Sequence, residues 1–506
     1  LVQRCINFME GNSIFSVYNN NMLRRLFCLG VLLLSFSCKT SPEVVQGPYF
    51  ANGLKNGWAD QNSIVIWTRL TQEKAAFYEG HPFLEIPRKE MLSLAKNPDV
   101  EAIYASQIPT GASLEDMEGY CPGAAGQVRL KYHQLGKENE VVVTKWTEVD
   151  SDKDFTHQWK LEGLSAGSTY RLKIYARAKE GSRVSDSISG KFILPPHKEI
   201  SSDVKFCVVS CHDYNRRDDL ENGHKIYPSM TDLKPDFYVH TGDIEYMDKP
   251  TPYALTEELV RFKWNRLFSL PFQKKFYNQH TSYFMKDDHD VGFDDSYPGR
   301  DYGTVTFERG LEIFDEEQFP SYSKRYKTVR WGKDLQVWIV EGRNYRNQNS
   351  LKDGPEKTIW GKEQKQWFFE TVTQSDATYK VLITSSPILG PDRSSKNDNL
   401  SNATYSYEQG EILSFIKKQK NIFIVNGDRH WQYVTHIKDT NLWEFGCGAG
   451  ADVHAGGWKQ EDFRPEHQFL RVKGGFLSVS VTHNDNPKIQ FIHHDVEGNP
   501  VNEVTF

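Results

Sequence analysis

The segment Phe237-Tyr-Val-His-Thr-Gly-Asp-Ile-Glu-Tyr246 joins a short apolar run to a polar loop. Its first half is rich in residues that favour strands, so it predicts a buried β-strand. Gly242 ends that strand and presents Asp243 at the start of a loop, where α/β proteins commonly place catalytic side chains. Tyr246 is close enough to reach the same centre, and a carboxylate with a phenolate suits an ion such as ferric iron. Taken alone, the segment favours a simpler alternative, an aspartate that caps the next helix above a packed tyrosine.

Three other segments repeat this arrangement of an apolar strand followed by ligand-type side chains. Val208-Val-Ser-Cys-His-Asp-Tyr214 places Cys211 directly after a strand, and Ile422-Phe-Ile-Val-Asn-Gly-Asp-Arg-His430 ends in an Asp-x-His pair. Lys286-Asp-Asp-His-Asp-Val-Gly-Phe-Asp-Asp295 adds acids that would repel one another unless a cation or water screened them. A buried cysteine is commonly inert and acidic loops are commonly solvated turns. Four such loops in one chain indicate a metal centre instead.

The donor types suggest which metals this centre would hold. A thiolate, a phenolate, a carboxylate and an imidazole suit iron or zinc. Oxygens from Asp428 and from Asp288 or Asp294 suit calcium, magnesium or manganese, and Asp243 is the natural bridge between two ions. Two metals about 3.5–4 Å apart clamp both oxygens of an in-line displacement and generate hydroxide near neutral pH. Phosphate ester hydrolysis is the reaction that most needs both effects.

The composition is that of a soluble globular protein with room for more than one domain. The chain has 506 residues, of which 25% are charged and 13% aromatic. Its formal net charge is -6 and it contains no long basic run, so we expect no nucleic-acid-binding surface.

The N-terminal segment predicts export. Met22-Leu-Arg-Arg-Leu-Phe-Cys-Leu-Gly-Val-Leu-Leu-Leu-Ser-Phe-Ser-Cys38 has a basic start, an apolar run and small residues, and it is too short to span a membrane comfortably. Cys38 resembles the acylated first residue of a bacterial lipoprotein, anchored in a membrane and facing the periplasm or the cell surface. Residues 1–38 would then be the signal segment, with translation beginning at Met22 and residues 1–21 untranslated. The alternative is a plain signal peptide with Cys38 near the cleavage site by coincidence.

The remaining chain has two parts with different predicted secondary structure. Residues 45–196 are typical of an all-β domain, and the segment 163–172 has the corner-and-strand pattern of fibronectin-like sandwiches. We expect a strand at 141–146 and an irregular insertion at 71–136. Residues 202–506 alternate strands with helices and then add β-pairs, which predicts a layered α/β domain that carries the metal centre.

The strand-end motifs Gly-Asp-x-x-Tyr and Gly-Asp-x-His resemble those of the calcineurin-like metallophosphoesterase superfamily. Other segments resemble the PhoD-like alkaline phosphatase family in particular, and they are Ser210-Cys211, Asp287-Asp-His-Asp290, Phe50-Ala-Asn-Gly53, Trp67-Thr-Arg-Leu70, Glu341-Gly-Arg-Asn-Tyr-Arg346 and Trp360-Gly-Lys-Glu-Gln-Lys-Gln-Trp367. The similarity extends from about Gly47 onward. It implies an α/β metallophosphoesterase domain preceded by a fibronectin/Ig-like sandwich, and metal-dependent hydrolysis of phosphate mono- or diesters.

The resemblance also implies a role for each matching residue. Ferric iron would be held by Cys211, Asp243, Tyr246 and His430. A second ion, expected to be Ca²⁺ with Zn²⁺, Mg²⁺ or Mn²⁺ as alternatives, would be held by Asp243, Asp428 and one residue of the segment 286–295, the third of the four loops in chain order. The family has an asparagine in that loop, and Asp294 matches it best here, whereas the wider superfamily favours Asp288. The added carboxylate leaves the identity of the second metal open.

Other polar residues near these motifs have less specific expectations. His289 would be the acid or anion stabiliser that faces the leaving group, or a histidine that orients a ligand. Arg343 and Arg346 would contact the substrate phosphate or, more simply, brace the loops. Residues expected beside the pocket are His212, Asp213 and Arg216, whereas His436 is expected in the core or behind a ligand.

Three other functions are alternatives to that of a PhoD-like enzyme. A purple-acid-phosphatase-like enzyme also pairs a sandwich with Gly-Asp-x-x-Tyr, but Cys211 and the Asp-Asp-His-Asp motif argue against it. An inactive surface glycan-binding lipoprotein would not need intact ligand loops. Sulfate ester hydrolysis is a third alternative, since sulfate shares the shape of phosphate. We expect a monomer, and the preference for monoesters or diesters stays open because it depends on the segments 71–136 and 296–330.

Overall fold

The computed structural model describes residues 47–94, 99–320 and 322–506 of the chain. The predicted signal segment 1–38, with the lipidation candidate Cys38, lies outside the described residues. Among the helices that are described, none is long and apolar enough to cross a membrane.

The N-terminal part is a β-sandwich of antiparallel strands. Its strands are β1 Leu54–Gly57, β2 Ile64–Arg69, β3 Gln127–Gln134, β4 Val142–Val143, β5 Thr147–Glu148, β6 Thr156–Leu161, β7 Thr169–Arg177 and β8 Asp186–Ile193. One sheet has the order β1-β2-β6 and the other β4-β3-β7-β8, with β5 paired to β3. Buried and exposed side chains alternate along β7, so one face of its sheet is directed to the core.

The excursion from the sandwich is shorter than the sequence suggested. It carries the short helices α1 Arg88–Leu94 and α2 Val100–Ser106, but β3 lies within the predicted insertion at 71–136 and pairs along its whole length with β7. The apolar pattern of this strand is weak in the sequence, because charged and polar residues surround Val128 and Leu130, although both of these residues are fully buried. The strand expected at 141–146 comprises only Val142–Val143. It lies at the exposed edge of its sheet, where only one neighbouring strand pairs with it.

The remainder of the chain contains two larger sheets. Its strands are β9 Val204–Val209, β10 Phe237–His240, β11 Thr281–Phe284, β12 Lys327–Trp331, β13 Leu335–Ile339, β14 Tyr379–Thr384, β15 Ile422–Asn426, β16 Gln432–His436, β17 Trp443–Cys447, β18 His467–Arg471, β19 Phe476–Thr482, β20 Lys488–His494 and β21 Pro500–Thr505. The sheet orders are β11-β10-β9-β19-β20-β21 and β12-β13-β14-β15-β17-β16-β18. Strands β9, β10 and β11 run parallel, as do β13, β14 and β15.

Seven α-helices accompany these two sheets in the described residues, and the longer ones cover their outer faces. They are α3 Ile226–Leu233, α4 Glu257–Ser269, α5 Pro271–Tyr277, α6 Asp288–Val291, α7 Phe307–Glu312, α8 Lys362–Thr373 and α9 Ser406–Ile416, with a π-helical turn at Ile313–Gln318. One apolar cluster joins α4 and α5 to β9 and β10, and another joins α8 and α9 to β13, β14 and β15. The layers are therefore helix, sheet, sheet and helix, which agrees with the predicted layered α/β class.

A continuous core connects the sandwich to the α/β layers. One cluster of buried apolar residues includes Leu130 and Phe192 of the sandwich, Val208 of the first large sheet and Val425 of the second. The described residues belong to one compact unit. The division into a sandwich domain at 45–196 and a catalytic domain at 202–506 stays a prediction.

Candidate metal centre

Three strand ends converge at one edge of the paired large sheets. Cys211, Asp243 and Asp428 follow β9, β10 and β15, and their backbones take left-handed φ values of 47°, 53° and 64°. A residue other than glycine costs about 1–3 kcal/mol in a sparsely populated backbone region, and such residues cluster at functional sites. This shared conformation turns each chain away from its strand and directs the three side chains toward one centre.

Close packing between the loops requires glycine before two of these residues. A Cβ at Gly427 would lie 2.2 Å from Thr241 Oγ1 and 2.3 Å from Ser210 Oγ. A Cβ at Gly242, whose φ is 110°, would lie 2.6 Å from the backbone nitrogen of Asp287. The Gly-Asp pairs therefore bring the three loops into contact, which is why a small residue precedes each aspartate.

The Asp290 carboxylate holds the central loop in shape. It accepts hydrogen bonds from the backbone N–H groups of Asp243, Ile244 and Glu245 at 2.7, 2.7 and 3.1 Å. It also accepts one from the backbone N–H of Asp287 at 2.8 Å. The last acid of the Asp-Asp-His-Asp motif thus fixes the backbone of the loop that carries Asp243.

The residues predicted to hold iron lie together. Ligand atoms of Cys211, Asp243 and His430 are within 4.8 Å of one another. The Tyr246 hydroxyl lies 3.1 Å from Asp243 Oδ2 and 3.0 Å from His430 Nε2, and Cys211 Sγ lies 3.5 Å from Asp243 Oδ2. A thiol, a phenol, a carboxylate and an imidazole thus surround one point, which fits the donor set expected for ferric iron.

A second group of acids shares Asp243 with the first. Ligand atoms of Asp243, Asp287 and Asp428 lie within 4.8 Å of one another, and so do those of Asp243, Asp288 and His289. Asp294 is 38% exposed, and its Oδ2 lies 3.6 Å from an Arg88 nitrogen. Asp287 was missed in the sequence, because two adjacent acids give no sign of which one faces the centre.

Burial makes this cluster unfavourable without a cation. Burial, followed by the repulsion of Asp243 and Asp428, raises the pKa of Cys211 well above its ordinary value. Burial also raises the pKa of Asp243 well above its ordinary value, because it outweighs the opposing charge of His289. Burial also raises the pKa of Asp428 to about 8. Asp243 Oδ1 and Asp287 Oδ2 are buried without a hydrogen-bond partner in the described part of the chain. Orphaned carboxylate oxygens beside a thiol and a phenol fit a site for metal ions, which would favour the charged forms of all these groups.

His430 is suited to binding a metal through a ring nitrogen. Burial, followed by the positive charge of Arg216, keeps the pKa of His430 well below its ordinary value. A neutral imidazole offers the lone pair that a metal requires. The Asp-x-His motif therefore supplies a ligand in the correct protonation state.

His289 has the opposite electrostatic setting. Its Nδ1 lies 2.6 Å from Asp248 Oδ1, and its Nε2 lies 3.8 Å from Asp294 Oδ1. Burial lowers the pKa of His289, but the charges of Asp248, Asp288 and Asp243 outweigh burial and raise it to about 10. Burial raises the pKa of Asp248, but the charge of His289 outweighs it and lowers this pKa to about 2. The pair is an imidazolium oriented by an ionised carboxylate, and the imidazolium can donate a proton.

A polar cleft of about 280 Å³ opens over these residues. Both candidate metal groups contribute to its lining through Asp243, Tyr246, Asp428 and His430. Cationic side chains on its walls are Arg216, Lys249, Arg393 and Lys396. The sequence motifs indicated Arg216 alone among these four, because the other three lie in loops without a recognisable pattern.

Arg343 and Arg346 were predicted to bind substrate or to brace loops, and their surroundings are those of braces. Arg343 is buried, forms an ion pair with Asp287 and lies 3.2 Å from Asp288 Oδ1. Arg346 donates to the Asp398 backbone carbonyl at 2.8 Å. Neither residue lines the cleft. Both residues therefore hold the loops of the site in place and do not face the cleft.

The other predicted neighbours take varied positions. His212 is buried behind the centre, with Nε2 at 2.6 Å from the Tyr227 hydroxyl. Asp213 accepts a hydrogen bond from the backbone N–H of Arg216 at 2.8 Å and so shapes the turn before the cleft. His436 stacks on Trp443 and does not line the cleft.

Comparisons with known proteins give a consistent result. Residues 314–504 match the family model described as PhoD-like phosphatase. Alkaline phosphatase D of Bacillus subtilis (strain 168) is 24% identical over 412 residues, which covers 67% of each chain. A solved structure of PhoD superposes with a TM-score of 0.65 at 17% identity, over 90% of this chain and 89% of that one. A purple acid phosphatase from yellow lupin (Lupinus luteus) seeds superposes with a TM-score of 0.59 at 11% identity, over 89% of this chain and 73% of that one.

These matches bear on the fold and on the family separately. The two solved structures share the mixed α/β fold, so the predicted fold class is confirmed. The family model includes Asp428 and His430, whereas Cys211, Asp243 and Tyr246 precede the matched segment. The family match supports a phosphoric ester hydrolase, as the motifs predicted. The chain carries a PhoD-like phosphatase domain and is a homologue of alkaline phosphatase D, so the resemblance to the PhoD-like family is confirmed.

Proposed function

We propose that this chain hydrolyses phosphate esters at a dinuclear metal centre. The observation that carries the proposal is the position of Asp243, which belongs to both candidate metal groups and has a buried oxygen without a hydrogen-bond partner in the described residues. A carboxylate in this position suits a bridge between two cations. Ferric iron would be held by Cys211, Tyr246, His430 and Asp243.

The second ion would be held by Asp243 and Asp428 with an acid of the third loop. Asp287 and Asp288 each group with Asp243, and each also contacts Arg343, whereas Asp294 is partly exposed at the rim. The acids proposed as ligands here offer carboxylate oxygens, which supports a hard divalent cation such as Ca²⁺. When bound, the two metals would supply a hydroxide nucleophile and stabilise the charge that develops on the phosphoryl group.

Protein side chains would donate the proton to the leaving group and position the phosphoryl group. A hydroxide oxygen bonds to phosphorus while the ester P–O bond breaks and the alcohol oxygen leaves with the bonding electron pair. His289 donates the proton that this oxygen needs, and Asp248 keeps the imidazole oriented and charged. Cationic side chains on the cleft walls hold the phosphoryl oxygens in place.

Metal analysis combined with an ester panel tests the proposal. Purified protein is expected to contain iron together with a divalent ion, and to hydrolyse 4-nitrophenyl phosphate, bis(4-nitrophenyl) phosphate or both. Removal of the metals by a chelator should abolish the activity, and their return should restore it. Protein that binds both metals but hydrolyses no phosphate ester would contradict the proposal and favour a binding protein.

We also infer that the mature protein is a lipoprotein anchored through Cys38 and facing the periplasm or the cell surface. The support is the series of basic, apolar and small residues that ends at this cysteine. In a bacterial host, Cys38→Ala should move the protein from the membrane fraction to the soluble fraction. Equal membrane retention of both forms would contradict the anchor.

A further inference from the structure

Arg393 is one of three cleft cations that the protein pairs only weakly. Arg216 Nε lies 3.5 Å from Asp213 Oδ2, and Lys249 Nζ lies 4.0 Å from Asp248 Oδ2. Lys396 Nζ lies 3.1 Å from Asp398 Oδ2, within hydrogen-bond distance. The nearest acid to Arg393 is Asp392, whose Oδ1 lies 3.7 Å from Arg393 Nε, beyond a hydrogen bond. Arg393 Nε is buried without a hydrogen-bond partner among the residues described. A guanidinium in a polar cleft with unused donors is available to an anionic ligand.

The neighbouring acid is committed elsewhere. Asp392 Oδ2 accepts hydrogen bonds from the side chains of Asn399 and Asn402 at 3.0 and 3.1 Å, and it also pairs with the buried Arg429. These partners, together with the Arg393 backbone N–H that donates to Asp392 Oδ1 at 2.7 Å, compensate the charge of Asp392, and the Arg393 side chain does not. The guanidinium of Arg393 is therefore not neutralised by a close ion pair, and its positive charge is directed to the cleft.

The walls of the cleft hold the Arg393 side chain in place without using its hydrogen bonds. The guanidinium carbon lies 5.5 Å from the centre of the Trp431 ring. On the other side, a Cβ at Gly457 would lie 3.1 Å from Arg393 Nη1 and 3.4 Å from the Trp431 ring, and the φ of Gly457 is 85°. The absence of a side chain at Gly457 lets the guanidinium lie between backbone and ring. Stacking of this kind orients a planar fork of donors at little entropic cost when a ligand binds.

We propose that Arg393 binds the phosphoryl group of the substrate and makes the site selective for phosphate monoesters. This inference rests on the proposed function. A monoester has three terminal phosphoryl oxygens and two negative charges, whereas a diester has two such oxygens and one charge. When the centre and its bound metals engage two oxygens, a monoester leaves a third, charged oxygen for the guanidinium. The second alcohol of a diester replaces that oxygen and brings no charge to Arg393.

The size of the cleft supports the same substrate class. Its volume of about 280 Å³ is just below the range of about 300–1,000 Å³ for ligand pockets. A phosphoryl group with one modest alcohol fits such a space more readily than a phosphoryl group with two ester arms. Shape and charge therefore favour the monoester together.

The test compares Arg393→Ala and Arg393→Lys with Arg464→Ala in the metal-loaded full chain. Arg464 is a matched control, because its guanidinium lies 5.5 Å from the Trp458 ring, yet it pairs with Asp462 and does not line the cleft. Calorimetry measures the binding of inorganic phosphate, and kinetics measure kcat/KM for 4-nitrophenyl phosphate and bis(4-nitrophenyl) phosphate. Metal content is determined for every variant.

Arg393→Ala is expected to weaken phosphate binding by about 10- to 100-fold, the usual range for a lost charge-assisted hydrogen bond. The ratio of monoester to diester kcat/KM should fall by about tenfold or more by the same reasoning. Arg393→Lys should recover part of the phosphate affinity, and Arg464→Ala should change neither quantity. Unchanged phosphate affinity at unchanged metal content would overturn the proposal, as would an equal loss for both esters.

Failure of the proposed function gives a different result. Wild-type protein would then hydrolyse neither ester, while phosphate calorimetry would still report whether Arg393 binds the anion. A loss of phosphate affinity in Arg393→Ala would support the residue assignment in that case, and unchanged affinity would overturn it.

Discussion

Two buried aspartates of this protein, Asp154 in the sandwich and Asp243 at the strand ends, have contrasting surroundings. Asp154 Oδ1 accepts a hydrogen bond from Arg69 at 2.8 Å, and Oδ2 accepts from Asn265 at 2.8 Å and Gln318 at 3.0 Å. Asp243 has Oδ2 beside a phenol and a thiol, whereas its Oδ1 has no hydrogen-bond partner in the described residues. Both residues also adopt a left-handed backbone.

The difference separates a structural charge from a functional one. Asp154 is compensated by the buried Arg69 of the sandwich and by two amides outside it, Asn265 of α4 and Gln318 of the π-helical turn, so both oxygens are bonded by protein. The strand-end loops leave Asp243 uncompensated, which raises its pKa and disfavours the anion in the absence of a cation. We infer that folding alone stabilises the first site and that bound metals stabilise the second.

Asp243→Asn should give the largest effect. Loss of electrostatic stabilisation alone typically costs about 10²–10³ in rate. Removal of a bridging carboxylate also affects metal binding, so we expect kcat/KM for 4-nitrophenyl phosphate to fall more than about 10³-fold. Metal content should fall with it.

The metal-free form of the same variant tests the comparison directly. Denaturant unfolding of chelator-treated protein should give Asp243→Asn a stability equal to or above that of the wild type, because the uncompensated carboxyl has been removed. Near-normal phosphoesterase activity and metal content in Asp243→Asn would contradict the dinuclear interpretation.

His289→Ala should have the next largest effect on activity. Acid–base assistance is usually worth about 10²–10⁴ in rate. A good leaving group such as 4-nitrophenolate needs little protonation, so the loss should be smaller for it than for an alkyl phosphate. His157→Ala is the control, because this sandwich histidine packs on Trp159 and lies outside the cleft. Equal losses for both leaving groups would favour the alternative role, a histidine that only orients a neighbour.

Most residues of the candidate metal centre could be predicted from the sequence. The apolar strands that end in Ser-Cys, Gly-Asp and Asp-x-His place donors at neighbouring carboxyl ends, and the parallel pairing of β9 and β10 brings Cys211 and Asp243 to one edge. Asp287 and Arg393 could not be recognised. Their positions depend on loop geometry, such as the φ of Gly457, and not on a local pattern.

The buried ion pair of Asp154 and Arg69 could not be predicted from the sequence either. Asp154 precedes Phe155 in an ordinary polar turn, and its partner Arg69 closes a strand far away along the chain. Only tertiary packing of the sandwich against α4 brings Asn265 to the same carboxylate. Partners of this kind are set by long-range contacts, and sequence periodicity carries no information about them.

Asp154→Ala tests the structural half of the comparison. Removal of one partner from a buried ion pair typically costs about 3–5 kcal/mol, because the other charge stays buried without compensation. We expect this loss in denaturant unfolding of Asp154→Ala, measured in metal-free and metal-loaded protein alike. The fraction that remains folded should keep the wild-type metal content and kcat/KM. A stability loss that bound metals abolish would show that the two sites are not independent.

Ser210→Ala should give the smallest effect and test how finely the loops are positioned. Ser210 Oγ accepts a hydrogen bond from the backbone N–H of Asp428 at 3.0 Å and lies 3.1 Å from Cys211 Sγ, so it links two ligand loops. A neutral hydrogen bond contributes about 0.5–1.5 kcal/mol, which corresponds to a loss of about 2- to 10-fold in kcat/KM. Ser185→Ala is the matched control, because its hydroxyl donates to the Pro48 carbonyl at 2.7 Å within the sandwich. That variant should lose a similar stability without any change in kcat/KM. An equal loss of kcat/KM in both serine variants would contradict the contrast between the two regions. It would show that hydrogen bonds of the sandwich affect activity as much as those of the ligand loops do.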